Sequence, residues 1–267
     1  MERNLTTGSV FKTIVYFSLP YLLSYFLQTL YGMADLFIIG QFGGVAGSTA
    51  VANGSQVMHM LTVVIVGLAM GTTVIVGHAI GARNTGEAAT VIGNSVTLFM
   101  TVAVGLMGIL IFSVRDIVNL INTPSEAIEG TVNYLIICFV GIPFITAYNI
   151  ISAIFRGLGD SKSPMYFIGI ACTANIALDY LFIGVMNMGA SGAALGTVLA
   201  QTLSVIISLA VIRRRTSDIR LRIEDFIPRR DIMGRILKVG VPVAVQDGCI
   251  QIAFIIITII ANRRGLN

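Results

Sequence analysis

The sequence predicts an all-α integral membrane protein, a polytopic bundle of transmembrane helices. Hydrophobic residues make up 55% of the 267 residues and charged residues only 11%, and the mean hydropathy of +0.88 is far above that of soluble proteins. The apolar residues form seven stretches, and each is long enough to cross a bilayer, which takes about 20 residues as a helix. The net charge of +4 does not indicate nucleic acid as a partner, because the basic residues lie between the apolar stretches.

The seven predicted spans are joined by short connections, except for a longer basic segment before the last one. Their expected limits are 10–40, 53–80, 90–113, 130–154, 165–187, 191–212 and 236–262. Placing the N-terminus in the cytoplasm puts 14 of the 17 Lys and Arg residues on the inner side and leaves only Arg115, Arg263 and Arg264 outside. We therefore expect a multi-pass protein of the plasma membrane with a cytoplasmic N-terminus.

The chain divides into three parts. Residues 1–212 form a six-helix N-terminal lobe, residues 213–235 a basic cytoplasmic interlobe linker, and residues 236–267 the first helix of an incomplete C-terminal lobe. Near the end of the linker, Pro228 and Asp231 are typical of a helix start. From there to Lys238 the chain is either a short amphipathic helix on the inner membrane surface or a solvated linker.

The seventh span resembles the first. Leu19-Pro20 opens the core of span one and Val241-Pro242 that of span seven, and the same offset places Gly43 on Gly265. An even number of helices separates the two copies, so both run in the same direction, as in the parallel repeats of some secondary transporters. We expect a protein nearly twice as long, whose missing C-terminal lobe belongs to the same polypeptide or to a partner chain.

Two acids, Asp35 and Asp179, lie in the middle of apolar spans. A carboxylate at that depth costs several kcal/mol, roughly, unless it is paired, protonated or bound to a cation. Asn175 lies one helical turn before Asp179, and Thr197 lies near the start of the next span after a short turn. Together the four supply hard oxygen ligands suited to a hard cation, for which Na⁺ is a candidate. Two close carboxylates could instead take a proton, and hydrogen bonding between helices is the alternative role for each residue.

The order and spacing of several motifs identify a family resemblance. The chain resembles the multidrug and toxic compound extrusion (MATE) family of cation-coupled exporters over its whole length, and its pattern is closest to the DinF-like and archaeal branch. The motifs are Leu19-Pro20 with Tyr31 and Asp35, Gly81-Ala82-Arg83-Asn84, Arg156-Gly157-Leu158-Gly159-Asp160 with Pro164, and Asn175-x3-Asp179-Tyr180.

The resemblance implies roles for particular residues. Asp35, Asn175, Asp179 and Thr197 match the cation-site positions of that branch. Pro20 matches the proline at which the first helix bends or straightens, and a kink is plausible there because proline removes a backbone hydrogen bond. The polar lining of the cavity in the lobe is expected to include Gln28, Tyr31, Tyr134 and Asn149, although interhelical hydrogen bonding is an equal alternative for each.

The sequence therefore predicts a transporter and no enzyme. The expected function is a Na⁺- or H⁺-coupled antiporter that exports amphipathic, cationic small molecules by alternating access, with no cofactor beyond the coupling ion. A flippase for lipid-linked oligosaccharides is one alternative, but its cavity would need cationic side chains, whereas the charges predicted within the membrane are acidic. An intramembrane aspartyl protease is a weaker alternative. Gly157-Leu158-Gly159-Asp160 resembles the Gly-x-Gly-Asp signature of such enzymes, but Asp160 lies in a loop between two spans and not within one. No nucleotide-binding loop indicates an ATP-driven pump.

Overall fold

The computed structural model describes residues 9–214 and 221–264, and in this part of the chain the protein is a bundle of helices. Short 3₁₀ turns at Ser125–Ala127 and Ile223–Phe226 and a π-helical turn at Tyr180–Val185 accompany them. The α-helices are α1 (Val10–Phe42), α2 (Gly44–Gly81), α3 (Thr85–Phe112), α4 (Val114–Leu120), α5 (Ile128–Val140), α6 (Ile142–Gly157), α7 (Lys162–Asp179), α8 (Gly189–Arg214) and α9 (Arg230–Arg264).

Six of these helices are long and apolar enough to cross a membrane, and α5 with α6 makes a seventh, bent span. The prediction of seven spans agrees with this count when α5 and α6, which meet at an angle of 50°, are taken together as the fourth span. Pro143 in the first turn of α6 causes the break, because it has no N–H to bond the carbonyl one turn earlier. The second span also begins earlier than predicted, since Gly44, with φ +63°, turns the chain directly from α1 into α2.

Small residues let α2 and α9 cross closely. A Cβ atom on Gly71 would collide with the carbonyl oxygen of Ile236, and one on Gly240 with the carbonyl oxygen of Leu68. Lipid provides little hydrophobic drive between helices, so association depends on such close backbone approach. The N-terminal half of α9 therefore packs firmly against the preceding helices.

The end of the linker is ordered against α3 and leads into one continuous helix. The predicted short helix on the membrane surface is wrong, because Ile232 and Ile236 belong to α9 and are buried against side chains of α2, α3 and α6. In the stretch 222–229, most residues are exposed, while Asp225, Phe226 and Arg229 hydrogen-bond to Thr90, Asn94 and Thr97 of α3. Of the residues used in the sequence predictions, Arg3, Arg215, Arg220 and Gly265 lie outside the described residues.

Candidate functional site

The four residues predicted to form a cation site lie together in the bundle interior. Helices α1, α7 and α8 pack against one another, which brings Asp35 of α1 to Asn175 and Asp179 of α7 and to Thr197 of α8. Asp35 is 4% exposed, Asn175 and Asp179 are fully buried, and Thr197 is 8% exposed. The carboxyl groups of Asp35 and Asp179 face each other, and the Asn175 amide lies beside both.

Few hydrogen bonds satisfy this cluster. The Thr197 hydroxyl donates to Asp35 Oδ2 at 3.3 Å, and the Asn175 amide nitrogen donates to Asp179 Oδ1 at 3.4 Å. Asp35 Oδ1, Asn175 Oδ1 and Asp179 Oδ2 are buried with no hydrogen-bond partner. A buried polar atom without a partner costs about 1–3 kcal/mol, and more when it is charged. The cluster therefore contains three buried oxygens that no hydrogen-bond donor among the described residues satisfies.

Local backbone features bring α7 and α8 together at this point. Helix α7 ends at Asp179 and continues as a π-helical turn, a wide turn that is frequent at functional sites. On α8, a Cβ atom at Gly196 would collide with Asp179 Oδ1 and would lie 3.6 Å from the Asn175 amide nitrogen. Gly196 is thus the residue that allows α8 to approach the acids.

A cavity of about 690 Å³ lies beside the cluster and has Asp35 and Thr197 in its wall. The four residues predicted to line the cavity, Gln28, Tyr31, Tyr134 and Asn149, all do so. Two of them also have interactions within the bundle, since Tyr134 shares a hydrogen bond of 3.0 Å with Ser55 and the Asn149 amide donates to the carbonyl of Ile145 at 2.8 Å. Tyr134 and Asn149 therefore both line the cavity and hydrogen-bond within the bundle.

Pro20 lies inside α1, which continues as a helix through it. Pro20 is buried, and only three other residues of the 33-residue helix, Asp35, Ile38 and Ile39, are buried against the described part of the chain. By contrast, α6 buries 12 of its 16 residues. Most side chains of α1 are therefore not buried by the described part of the chain.

Several polar residues of the cavity, among them Gln201 and Arg156, were not among the predicted site residues. Gln201 lies one turn after Thr197 on α8, is 5% exposed and has an unpartnered Oε1 atom; the four-residue spacing from Thr197 was the available signal. The sequence predicts that Arg156 lies at the inner membrane edge, but its side chain lines the cavity. The sequence could not show the direction of this side chain, because a long arginine side chain at a helix end can extend toward water or into the bundle.

The donor set suits a small monovalent cation or a proton. It offers two carboxylates, an amide oxygen and a hydroxyl, all hard ligands without a nitrogen or sulfur. Among the described residues, no group of three or more His, Cys, Asp or Glu side chains is arranged to hold a metal ion.

Comparison with known families identifies the chain. The family model described as MatE matches residues 20–181, more than half of the sequence, and includes Pro20, Asp35, Asn175 and Asp179. The chain belongs to the MatE family. The resemblance to MATE transporters is thereby confirmed, as is the all-α membrane fold. The assignment to the DinF-like and archaeal branch stays a prediction.

Relatives of this MATE protein are named as multidrug resistance proteins. The probable multidrug resistance protein YpnP of Bacillus subtilis (strain 168) is 31% identical over 97% of this chain and 58% of its own length. The probable multidrug resistance protein NorM of Thermotoga maritima is 31% identical over 88% of this chain and 51% of its own length. The chain thus spans about half the length of these relatives.

The fold is also that of solved transporters. A MOP superfamily transporter from Pyrococcus furiosus superposes with a TM-score of 0.86 at 27% identity, over 93% of this chain and 55% of that chain. The similarity covers most of this chain and about half of that one, so the described helices have the arrangement of one part of that transporter.

Proposed function

We propose that the chain is part of a cation-coupled antiporter that exports amphipathic small molecules. The main support for this proposal is the cluster of buried carboxylate and amide oxygens without donors, formed by Asp35, Asn175 and Asp179 beside a cavity. Buried oxygens that face one another are tolerated when a cation or proton lies among them. Names of relatives such as the multidrug export protein MepA of Staphylococcus saprophyticus support drug-like cargo.

Coupling follows from charge. In the proposed cycle Na⁺ or H⁺ enters from outside and neutralises the pair Asp35 and Asp179, with Asn175 and Thr197 as further ligands. Neutralisation removes the repulsion between the two carboxylates, so the packing of α1 against α7 and α8 can change. Because the ion binds one arrangement of α1 better than the other, it shifts the population between them.

The repacking is proposed to occur about Pro20. Proline interrupts the helical hydrogen bonds and so lowers the cost of bending. Gln28 and Tyr31 lie between Pro20 and Asp35 and line the cavity. Movement of α1 would therefore shift Gln28 and Tyr31 relative to Tyr134 and Asn149, which also line the cavity. This change in the wall would lower the affinity of the cavity for cargo.

Alternating access needs a second lobe. The relatives are about twice as long as this chain, and we propose that a C-terminal lobe, from the same polypeptide or a partner chain, closes the cavity and rocks against α1–α8. We place the protein in the plasma membrane with its N-terminus in the cytoplasm, because that orientation puts most Lys and Arg residues inside.

The test is efflux from proteoliposomes that contain the full-length protein. An imposed inward gradient of Na⁺, or separately of H⁺, should accelerate export of an amphipathic dye by the wild type. Asp35→Asn and Asp179→Asn should each abolish the acceleration, because an amide neither holds the proton nor attracts the cation. The ion whose gradient drives export by the wild type is the coupling ion.

A matched variant controls for the chemistry of the change. Asp116→Asn makes the same substitution at an exposed position of α4 and should respond to the gradient like the wild type. If Asp35→Asn and Asp179→Asn also export at the wild-type rate, the coupling site lies elsewhere.

A further inference from the structure

Arg156, in the last turn of α6, presents an unpaired cation to the cavity. Its guanidinium carbon lies 5.4 Å from the centre of the Tyr21 ring, and its Nε atom is buried without a hydrogen-bond partner. Within residues 9–213 and 221–253, no carboxylate lies within 4.0 Å of its nitrogen atoms. The acids of the cavity wall, Asp35 and Asp247, are included in that statement.

An arginine in this setting is suited to bind an anion. The guanidinium stays charged under all ordinary conditions, so burial cannot neutralise it as it can neutralise a lysine. Its planar fork of N–H donors matches two oxygens of a carboxylate or phosphate. The Tyr21 ring holds the flat group by a cation–π contact, which fixes the orientation of the fork without using its donors.

The position of Arg156 gives the cavity two chemically different ends. Tyr21 and Asp35 are both on α1, and 14 helical positions at 1.5 Å each place them about 20 Å apart along the axis. The acidic cluster is therefore at one end of the cavity and Arg156 at the other. Between them, the polar side chains in the wall include the uncharged Gln28, Asn149 and Ser152.

We propose that Arg156 is an anion-binding subsite that takes a carboxylate or phosphate group of the cargo. The inference rests on the proposed export function and narrows its cargo class. The preferred cargo is then an amphipathic molecule with an acidic group at one end, and not a simple cation as the sequence suggested. Its apolar body lies along the cavity, and its far end points toward Asp35.

Equilibrium binding of two matched dyes to the full-length protein tests the subsite. One is a cationic xanthylium dye with a free carboxylate, and the other is its methyl ester, measured by fluorescence polarisation in phosphatidylcholine nanodiscs. The wild type should bind the free acid about tenfold more tightly than the ester, as a charge-assisted bidentate contact predicts. Arg156→Gln should lose this preference and keep its affinity for the ester within about twofold.

Two further variants separate anion binding from a structural role. Arg156→Lys keeps the charge but loses the fork, so its preference for the acid should be intermediate. Arg115→Gln removes an exposed arginine, which lies 3.6 Å from Glu129 with both side chains 72% exposed, and should leave the wild-type preference intact. Retained binding of the ester shows in each case that the variant is folded.

The outcomes are distinct. If the wild type binds acid and ester equally, or if Arg156→Gln weakens both alike, Arg156 is structural and the subsite is absent, while the efflux test of Asp35 and Asp179 is unaffected. If the dyes bind as expected but no ion gradient drives export, the export proposal fails and the anion subsite stands. Loss of the acid preference in nanodiscs of anionic lipid would assign the same subsite to a lipid headgroup.

Discussion

Two asparagines of this bundle are fully buried, and their surroundings differ completely. Asn94 of α3 donates to the carbonyls of Thr90 and Asp225, both at 3.0 Å, and its Oδ1 accepts from the Arg229 N–H at 2.7 Å. Asn175 of α7 has one long hydrogen bond to Asp179, and its Oδ1 has no partner. We call the hydrogen-bonded contact of Asn94 with the end of the linker the closed joint. We call the cluster around Asn175, whose oxygens lack partners, the open site.

The residues around each asparagine follow the same division. Near Asn94, the Thr90 hydroxyl donates to Asp225 Oδ1 at 3.0 Å and the Thr97 hydroxyl donates to the carbonyl of Phe226 at 2.8 Å. Near Asn175, each of the two aspartates has an oxygen without a partner. Burial alone therefore does not distinguish a structural polar group from a binding group, whereas the count of satisfied atoms does.

The largest effect on stability is expected at the closed joint. Asn94→Leu leaves the Asp225 carbonyl and the Arg229 N–H without partners, so the free energy of unfolding should fall by about 2–4 kcal/mol. Detergent unfolding of the full-length protein measures this. Thr101→Val, at an exposed position of the same helix, should change the value by less than about 0.5 kcal/mol.

Closing the open site should remove its ion response. Gly196→Ala places a methyl group against Asp179 Oδ1, so the variant should not gain the stabilisation of about 2.7 kcal/mol that a ligand at a hundredfold excess over its Kd confers on the wild type. Gly108→Ala is the control, because its added Cβ atom meets nothing within 4 Å. Equal ion responses in the two variants would contradict the proposed site.

A smaller effect is expected where a cavity residue also has a structural contact. Tyr134→Phe removes the hydrogen bond to Ser55, so the free energy of unfolding should fall by about 1 kcal/mol. Ser55→Ala should cost a similar amount, and the double variant should cost little more than either single one, because both remove the same bond. Additive losses would show that the two hydroxyls act separately.

The smallest effect on stability is expected at Asn175, although it is as buried as Asn94. Asn175→Leu removes an unsatisfied oxygen and only one long hydrogen bond, so unfolding in ion-free buffer should change by less than about 1 kcal/mol. Ion-driven export should nevertheless be lost. A loss of stability as large as that of Asn94→Leu would remove the distinction between the two regions.

The open site was more accessible to sequence reasoning than the closed joint. Two acids in apolar spans and an asparagine one turn from Asp179 are local signals, and they predicted the residues that the fold brings together. Asn94 gave no such signal, because its partners Asp225 and Arg229 lie far along the chain. The π-helical turn after Asp179 and the direction of the Arg156 side chain into the cavity likewise depend on packing between helices.

Thermal unfolding of the full-length protein in detergent, with and without the coupling ion, tests the central claim most directly. Na⁺ in place of choline, or acidification if the proton is the coupling ion, should raise the Tm of the wild type and of Asp116→Asn, because a ligand that binds only the folded state stabilises it. The same change should leave the Tm of Asp35→Asn and Asp179→Asn unaltered. An equal rise in all four proteins would contradict the claim that these two carboxylates hold the coupling ion.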